Sequence, residues 1–319
     1  MPVRLIAIWF ILALLSALRA FPEGNATADR QRATELLKKL LAHDTPEEQW
    51  SSFEKEFEAL PVKIVLPDLF PQIAKGIPLG LSYAAYNCSD PLRDRRVPGW
   101  GEFCVANWLW CKQLQCPKRR EDVSKVLLEL WAHPVSYYGQ LVLLEGLCRN
   151  REAQPGIATL FRDAAADKRL RTEAGVCLLL QDGAKYHSEV VAFAEQVPIK
   201  FSQPGWNIGL RQRLFDELAS LRHRDDSGID PAVVRMGFGL LLREVEQQRM
   251  AKQFGREVSY YGQFIYADHL NIYLGTRFEP DRKRPTYGGS AGDERFWRET
   301  VVNALAWWSK HEDQYSKLL

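Results

Sequence analysis

From residue 118 onward one pattern repeats: apolar side chains recur at helical spacing for roughly ten to twenty residues, a short polar link follows, and the pattern begins again. Val123, Val126, Leu127, Leu130 and Trp131 share one face of a first helix. Residues 135–148 mark a second, 157–161 start a third, and 170–180 mark a fourth that stops at Asp182-Gly183. Further helical patterns cover 190–197, 210–221, 231–250, 260–273 and 294–318, whereas few stretches show the alternation of a half-buried strand. A stripe of this period buries one face of each helix against a neighbour. The expectation is therefore an all-α chain of stacked helix pairs. The same reading extends upstream. Ala33, Leu37, Leu40 and Leu41 fall on one face; Thr45-Pro46-Glu47-Glu48 is a helix start; Trp50, Phe53, Phe57 and Leu60 supply the next apolar face. Residues 61–80 are apolar but interrupted by Pro67, Pro71 and Pro78, which predicts short kinked helices.

Within the fourth helix, Leu170-Arg171-x-x-Ala174-Gly175-x-x-Leu178-x-Leu180-x-Asp182-Gly183 resembles the second helix of a HEAT-type repeat, with Asp167-Lys168 in the place of the turn between the paired helices. The resemblance covers about residues 120–183. It implies an α-solenoid of units about 40 residues long, or an irregular helical array, whose extended surface takes a protein or peptide partner. One longer echo stands apart from that period: Val135-Ser-Tyr-Tyr-Gly-Gln140 recurs as Val258-Ser-Tyr-Tyr-Gly-Gln263. It reads either as two equivalent tyrosine-bearing surfaces, around Tyr137 and Tyr260, or as two helix starts with similar packing needs, and the second reading is preferred.

The N-terminus has the composition of a cleavable export signal. Arg4 gives a short basic start, residues 5–18 are uncharged and apolar, and Ala17 and Ala20 are candidate last residues of the signal. The apolar run is shorter than the roughly 20 residues a membrane-spanning helix needs, and no second run is long enough. The expected domain order is residues 1–20 as signal peptide, 21–117 as an N-terminal helical region, and 118–319 as a helical-repeat-like domain. The location follows: periplasmic, cell-envelope or secreted. The formal charge of +2 falls to zero once Arg4 and Arg19 leave, so no general charge excess draws the mature chain to nucleic acid.

Six cysteines, Cys88, Cys104, Cys111, Cys116, Cys148 and Cys177, suit disulfides in an oxidising compartment. Four of them fall in residues 88–117, together with Pro91, Pro98, Gly99, Gly101, Trp100, Trp108 and Trp110. That stretch reads as an irregular, disulfide-stapled loop. Zinc is the rival reading, but only Cys111-x4-Cys116 has knuckle spacing and no second knuckle follows. Cys148 and Cys177 lie on helical segments, as core thiols or as a bridge between helices.

Catalytic patterns fail on context. Gly288-Gly289-Ser290-Ala291-Gly292 matches the nucleophile elbow, but residues 279–285, charged and proline-rich, are no core strand, and no later strands remain to carry a triad. The six histidines are scattered without a metal-binding spacing, and no phosphate loop occurs. The expectation is thus no catalytic, metal or cofactor-binding residue. The remaining leads are surface residues: Trp100 and Trp206 in turns, Tyr137 and Tyr260 in the echo, and Arg282 and Arg284 in a basic proline-rich loop. Trp297 and Trp308, at helical spacing, are expected in the core. Together these features point to an exported, non-enzymatic helical-repeat protein that binds a protein or peptide. The alternatives are a helical-scaffold enzyme on envelope or extracellular glycans, recognisable by paired carboxylates in a cleft, and a structural envelope component.

Overall fold

The structure, a computed structural model, describes residues 23–76, 101–133, 135–197, 209–225, 228–255, 259–281, 284 and 291–316. Among the described residues there are twelve α-helices, two short 3-10 turns and no strand, as the helical periodicity requires. The chain divides into two compact units, Met1–Gly146 and Leu147–Leu319.

The first unit contains α1 (Glu23–Leu41), α2 (Glu47–Ala59), α3 (Val62–Gly76), α4 (Gly101–Gln115), α5 (Arg120–Trp131) and, at its boundary, α6 (Tyr137–Leu147). Helix α3 packs against α1, α4 and α5. It buries Val62, Ile64, Val65, Leu66, Leu69 and Ile73. It continues through Pro67 and Pro71, where the sequence predicted breaks. Each proline removes one backbone donor, but the two lie four positions apart on one side of the helix, and six buried apolar side chains hold the remainder in place. Burying side chains of this size contributes roughly 1.5–3 kcal/mol each.

The predicted disulfide-stapled loop is not found where the structure describes it. Gly101–Gln115 is a helix, and it buries Phe103, Cys104, Val105, Ala106, Leu109 and Trp110. Cys104 and Cys111 stand seven positions apart on that helix, a rise of about 10 Å, beyond the reach of a disulfide. Cys104, Cys111, Cys116, Cys148 and Cys177 form no disulfide; Cys88 lies outside the described residues. Aromatic contacts fasten α4 instead. Trp108 meets Trp50 at 5.1 Å between ring centroids, and Trp110 meets Phe70 at 6.3 Å. Lys112 lies 4.0 Å above the Trp108 ring and pairs with Glu54 and Glu58. Burial opposes the Lys112 charge, but the bonds to the two carboxylates outweigh it and raise the pKa above the ordinary lysine value.

The second unit contains α7 (Gln154–Arg162), α8 (Lys168–Gln196), α9 (Leu210–Asp225), α10 (Pro231–Gln253), α11 (Tyr261–Leu274) and α12 (Ala291–Ser316). Each helix packs on the next, and α8 on α10, α9 on α11 and α10 on α12 pack as well. Helix α8 is two helices joined at Asp182, whose backbone is extended (φ −159°, ψ 74°) and whose carboxylate accepts from the Lys185 amide at 3.3 Å. The break falls at the Asp182-Gly183 stop read from the sequence. Asp167 caps the first half by accepting from the Arg169 amide at 2.8 Å. Arg171 donates to the Phe161 carbonyl at the end of α7 (2.8 Å), and Arg211 donates to the Ala194 carbonyl at the end of α8 (2.9 Å). Each arginine supplies a donor that the last turn of the preceding helix lacks.

The six-residue echo encodes a helix start in both units. The Ser136 hydroxyl accepts from the Gly139 amide at 3.1 Å, and the Ser259 hydroxyl accepts from the Tyr261 amide at 3.2 Å. Both glycines admit a neighbour closely: a Cβ on Gly139 would lie 2.9 Å from the Phe70 ring, and one on Gly262 would lie 3.2 Å from a Glu244 oxygen.

Candidate functional site

A groove of about 1070 Å³ opens in the second unit where the start of α11 meets the first turns of α12. Ser259 and Tyr260 line one side; Glu294, Arg295, Arg298, Glu299, Val302 and Asn303 line the other. The α12 residues recur at helical spacing, so one face of that helix forms the wall. The opposite face is core: Phe296, Trp297, Val301, Ala304 and Trp308 are buried, as expected for the two tryptophans.

Glu294 holds the two sides together. Its carboxylate accepts from the Ser259 hydroxyl and from the Tyr260 amide, the latter at 3.0 Å. It thereby satisfies a donor at the start of α11 while sitting in the first turn of α12, where a negative charge also suits the helix dipole. Arg295 donates to Glu299 at 2.9 Å. Asn303 donates to the Phe278 carbonyl at 2.8 Å, and Asn271 accepts from the Phe278 amide at 2.8 Å, so both helices anchor the chain that follows α11. Beside the groove, Lys252 donates to the Tyr260 hydroxyl at 3.3 Å and stands 5.0 Å above its ring. Val302 leaves 54% of its surface open.

Beneath the groove a polar layer fixes α11. Gln248 donates to the Ser259 carbonyl. Tyr266 donates to Gln212 at 2.7 Å, and His269 pairs with Asp216 at 2.9 Å, joining α11 to α9. Burial pushes the Glu244 carboxyl above its ordinary pKa, against a bond from Gln248. Burial raises the Tyr266 phenol, with added effect from the charges of Glu244 and Asp216. The bond to Asp216 raises His269.

A smaller cavity of about 490 Å³ lies beside His187 and Asp230, lined also by Gly183, Ala184, Ser188 and Leu221. His187 Nε2 meets Asp230 at 2.9 Å, while the other Asp230 oxygen caps α10 by accepting from the Ala232 amide at 2.8 Å. The bond to His187 lowers the Asp230 pKa, with the capping bond acting in the same direction. This histidine is thus engaged in fixing a helix start.

Of the residues singled out in the sequence, Tyr260 lies in the groove. Tyr137 starts α6 in the first unit and packs edge-on against Tyr138, 5.0 Å between centroids. Arg284 pairs with Asp268 at 2.6 Å and with Glu279 at 3.4 Å. Trp100, Trp206, Arg282 and Ser290 lie outside the described residues. Arg295, Arg298 and Val302 escaped notice because spacing alone gives them to the solvent face of an amphipathic helix. Only the approach of α11 makes that face a wall. Both groove carboxylates accept hydrogen bonds from neighbouring groups, and among the described residues no cluster of three or more His, Cys, Asp or Glu is placed to hold a metal. No helix among the described residues is long and apolar enough to cross a membrane. Compared with protein families, with curated proteins and with solved structures, the chain matches none.

Proposed function

We propose that this chain is an exported helical-array protein whose groove between α11 and α12 holds a segment of a protein partner. The observation that carries the reading is the groove wall itself: an exposed valine, an aromatic ring and arginines, with Glu294 engaged in tying α12 to the start of α11 and Glu299 accepting from Arg295 on its own helix. Such a surface supplies contact area and charge rather than proton transfer. The basic, apolar and small-residue pattern of residues 1–20 supports export. A HEAT-like organisation is supported by Arg171 and Arg211, about 40 residues apart, each donating to the end of the preceding helix. Packing of each helix of the second unit on the next, and of α8 on α10, α9 on α11 and α10 on α12, supports it too.

The test is photo-cross-linking of the whole chain in its native cells. A benzophenone side chain is placed at position 302, and in a parallel strain at the exposed Leu242 on α10, outside the groove. One protein captured reproducibly through position 302 and not through 242 is the expected result. Identical capture through both positions, or none through 302, contradicts the proposal.

A further inference from the structure

We infer that the cavity beside His187 is a binding site for a small uncharged molecule that presents a hydroxyl to His187 Nδ1 and lays an apolar body on Ile229 and Leu221. The cavity shares no lining residue with the groove, so the inference stands apart from the peptide-binding reading.

The hydrogen bonds of the His187–Asp230 pair leave one atom over. Asp230 is fixed from three sides. Its amide donates to the Tyr273 hydroxyl at 2.8 Å, one carboxylate oxygen accepts from the Ala232 amide at 2.8 Å, and the other meets His187 Nε2 at 2.9 Å. The bond to His187 is the first cause that holds the Asp230 carboxyl below its ordinary pKa. The group is therefore an ionised carboxylate, which only accepts. The ring hydrogen sits on Nε2, and in the neutral imidazole Nδ1 keeps its lone pair. Among the described residues no group donates to Nδ1, and the side chain, 23% exposed, lines the cavity. The result is an acceptor held in one orientation by the carboxylate behind it.

The rest of the lining sets the class of ligand. A volume of about 490 Å³ is in the range of small-molecule sites. Gly183 and Ala184 of α8 leave room for a ring, and the apolar wall comes from Leu221 of α9 and from Ile229 in the link before α10. Ile229 keeps 39% of its surface exposed, so a hydrocarbon body that covers it is drawn in by leaving water. Charge around the cavity is matched. The Asp230 carboxylate caps the N-terminus of α10, and the charge of Arg235 acts on it as well. On α8, Asp182 and Lys185 flank Gly183 and Ala184 with opposite signs. Neither an anion nor a cation is called for, and the donor that fits Nδ1 is the hydroxyl of an alcohol or a phenol.

The experiment follows His187 in long-range proton–nitrogen NMR spectra of the whole chain, labelled with nitrogen-15 histidine, at about pH 8, above the ordinary histidine range. Benzyl alcohol is the probe. Benzyl methyl ether lacks the donor, and benzoate and benzylamine carry charge. His187→Gln keeps an N–H for Asp230 and identifies the His187 signals. Ala184→Leu fills the cavity at an exposed helical position, and circular-dichroism melts establish that both variants fold. The expected result is an unprotonated Nδ1 whose signal moves saturably with benzyl alcohol. The ether is expected to bind at least about fivefold more weakly, the loss of one hydrogen bond, and both charged probes more weakly than the alcohol. His187→Gln is expected to weaken the alcohol by a similar factor and Ala184→Leu to abolish its binding. A proton on Nδ1, no saturable movement at His187, or equal affinity for alcohol and ether overturns the inference. So does tighter binding of either charged probe, or alcohol binding unchanged in both variants.

Discussion

Glu294 illustrates how much one side chain can decide in an array of helices. It stands in the first turn of α12 and reaches back to Ser259 and to the Tyr260 amide at the start of α11. Two helix N-termini, each with partial positive character, share one carboxylate. Glu294→Ala removes the acceptor and leaves an amide at the helix start without a partner. It is expected to lower the free energy of unfolding by about 1–2 kcal/mol, read from urea titration. Glu294→Gln keeps one acceptor oxygen and is expected to lose less. A stability unchanged in both variants contradicts the cap. The sequence shows the helical pattern from residue 294, and Glu294 falls in the first turn of a helix that begins at Ala291. It does not reveal the partner, because Ser259 is distant along the chain and local spacing carries no trace of it. The same gap explains Arg284: a basic proline-rich context reads as solvated charge, while folding brings Asp268 and Glu279 to it.

At the scale of elements, legibility followed the stripe. Helices with one apolar face, such as α5 and α7, stand out in the sequence. Helix α4 did not, because Phe103, Val105, Ala106, Leu109 and Trp110 place apolar groups nearly all round it. A helix enclosed by its neighbours has no polar face to set a period, and its cysteines, glycine and tryptophans imitate a stapled loop. The proline-interrupted α3 was obscured for the opposite reason, since the local signal for a break is real and tertiary packing overrides it. Close approach between helices is a further property of elements. A Cβ on Gly237 of α10 would lie 2.6 Å from the Phe215 ring and 2.7 Å from Leu270. Alanine improves helix propensity by about 1 kcal/mol, whereas overpacking costs about 1–3 kcal/mol; here the clash involves a ring and a core leucine, so it dominates. Gly237→Ala is expected to reduce the thermal midpoint. Gly262→Ala meets only the end of the Glu244 side chain at 3.2 Å and is expected to be near neutral. Equal midpoints for the two variants contradict this account of the α9–α10–α11 packing.

For the whole molecule, pH enters through the side chains that tie helices together. His269 of α11 pairs with Asp216 of α9, and that bond holds its pKa above the ordinary value of about 6.5. A group raised on folding contributes stability that is fully present below its unfolded pKa and lost as pH rises through the folded value. Thermal midpoints of the whole chain are therefore expected to fall between pH 6 and pH 8. Asp216→Asn, which removes the cause of the shift, is expected to flatten that fall. Parallel pH profiles for the two proteins refute the linkage. The all-helical class was legible because it is a sum of many local periods. The division at Gly146 and Leu147 was not, since it depends on which apolar faces meet.

The enclosure of α4 has a consequence for how the chain comes into being. The apolar faces of α1 and α3 close on α4, and Trp50 of α2 closes on Trp108. During synthesis these helices emerge first, and their covering helix is complete only when residue 115 is out. Until then the nascent segment carries uncovered leucine, isoleucine and tryptophan surface, the state in which chains stick to one another. The first unit is thus built around a late-arriving centre, and its early helices stay open to association until that centre is delivered.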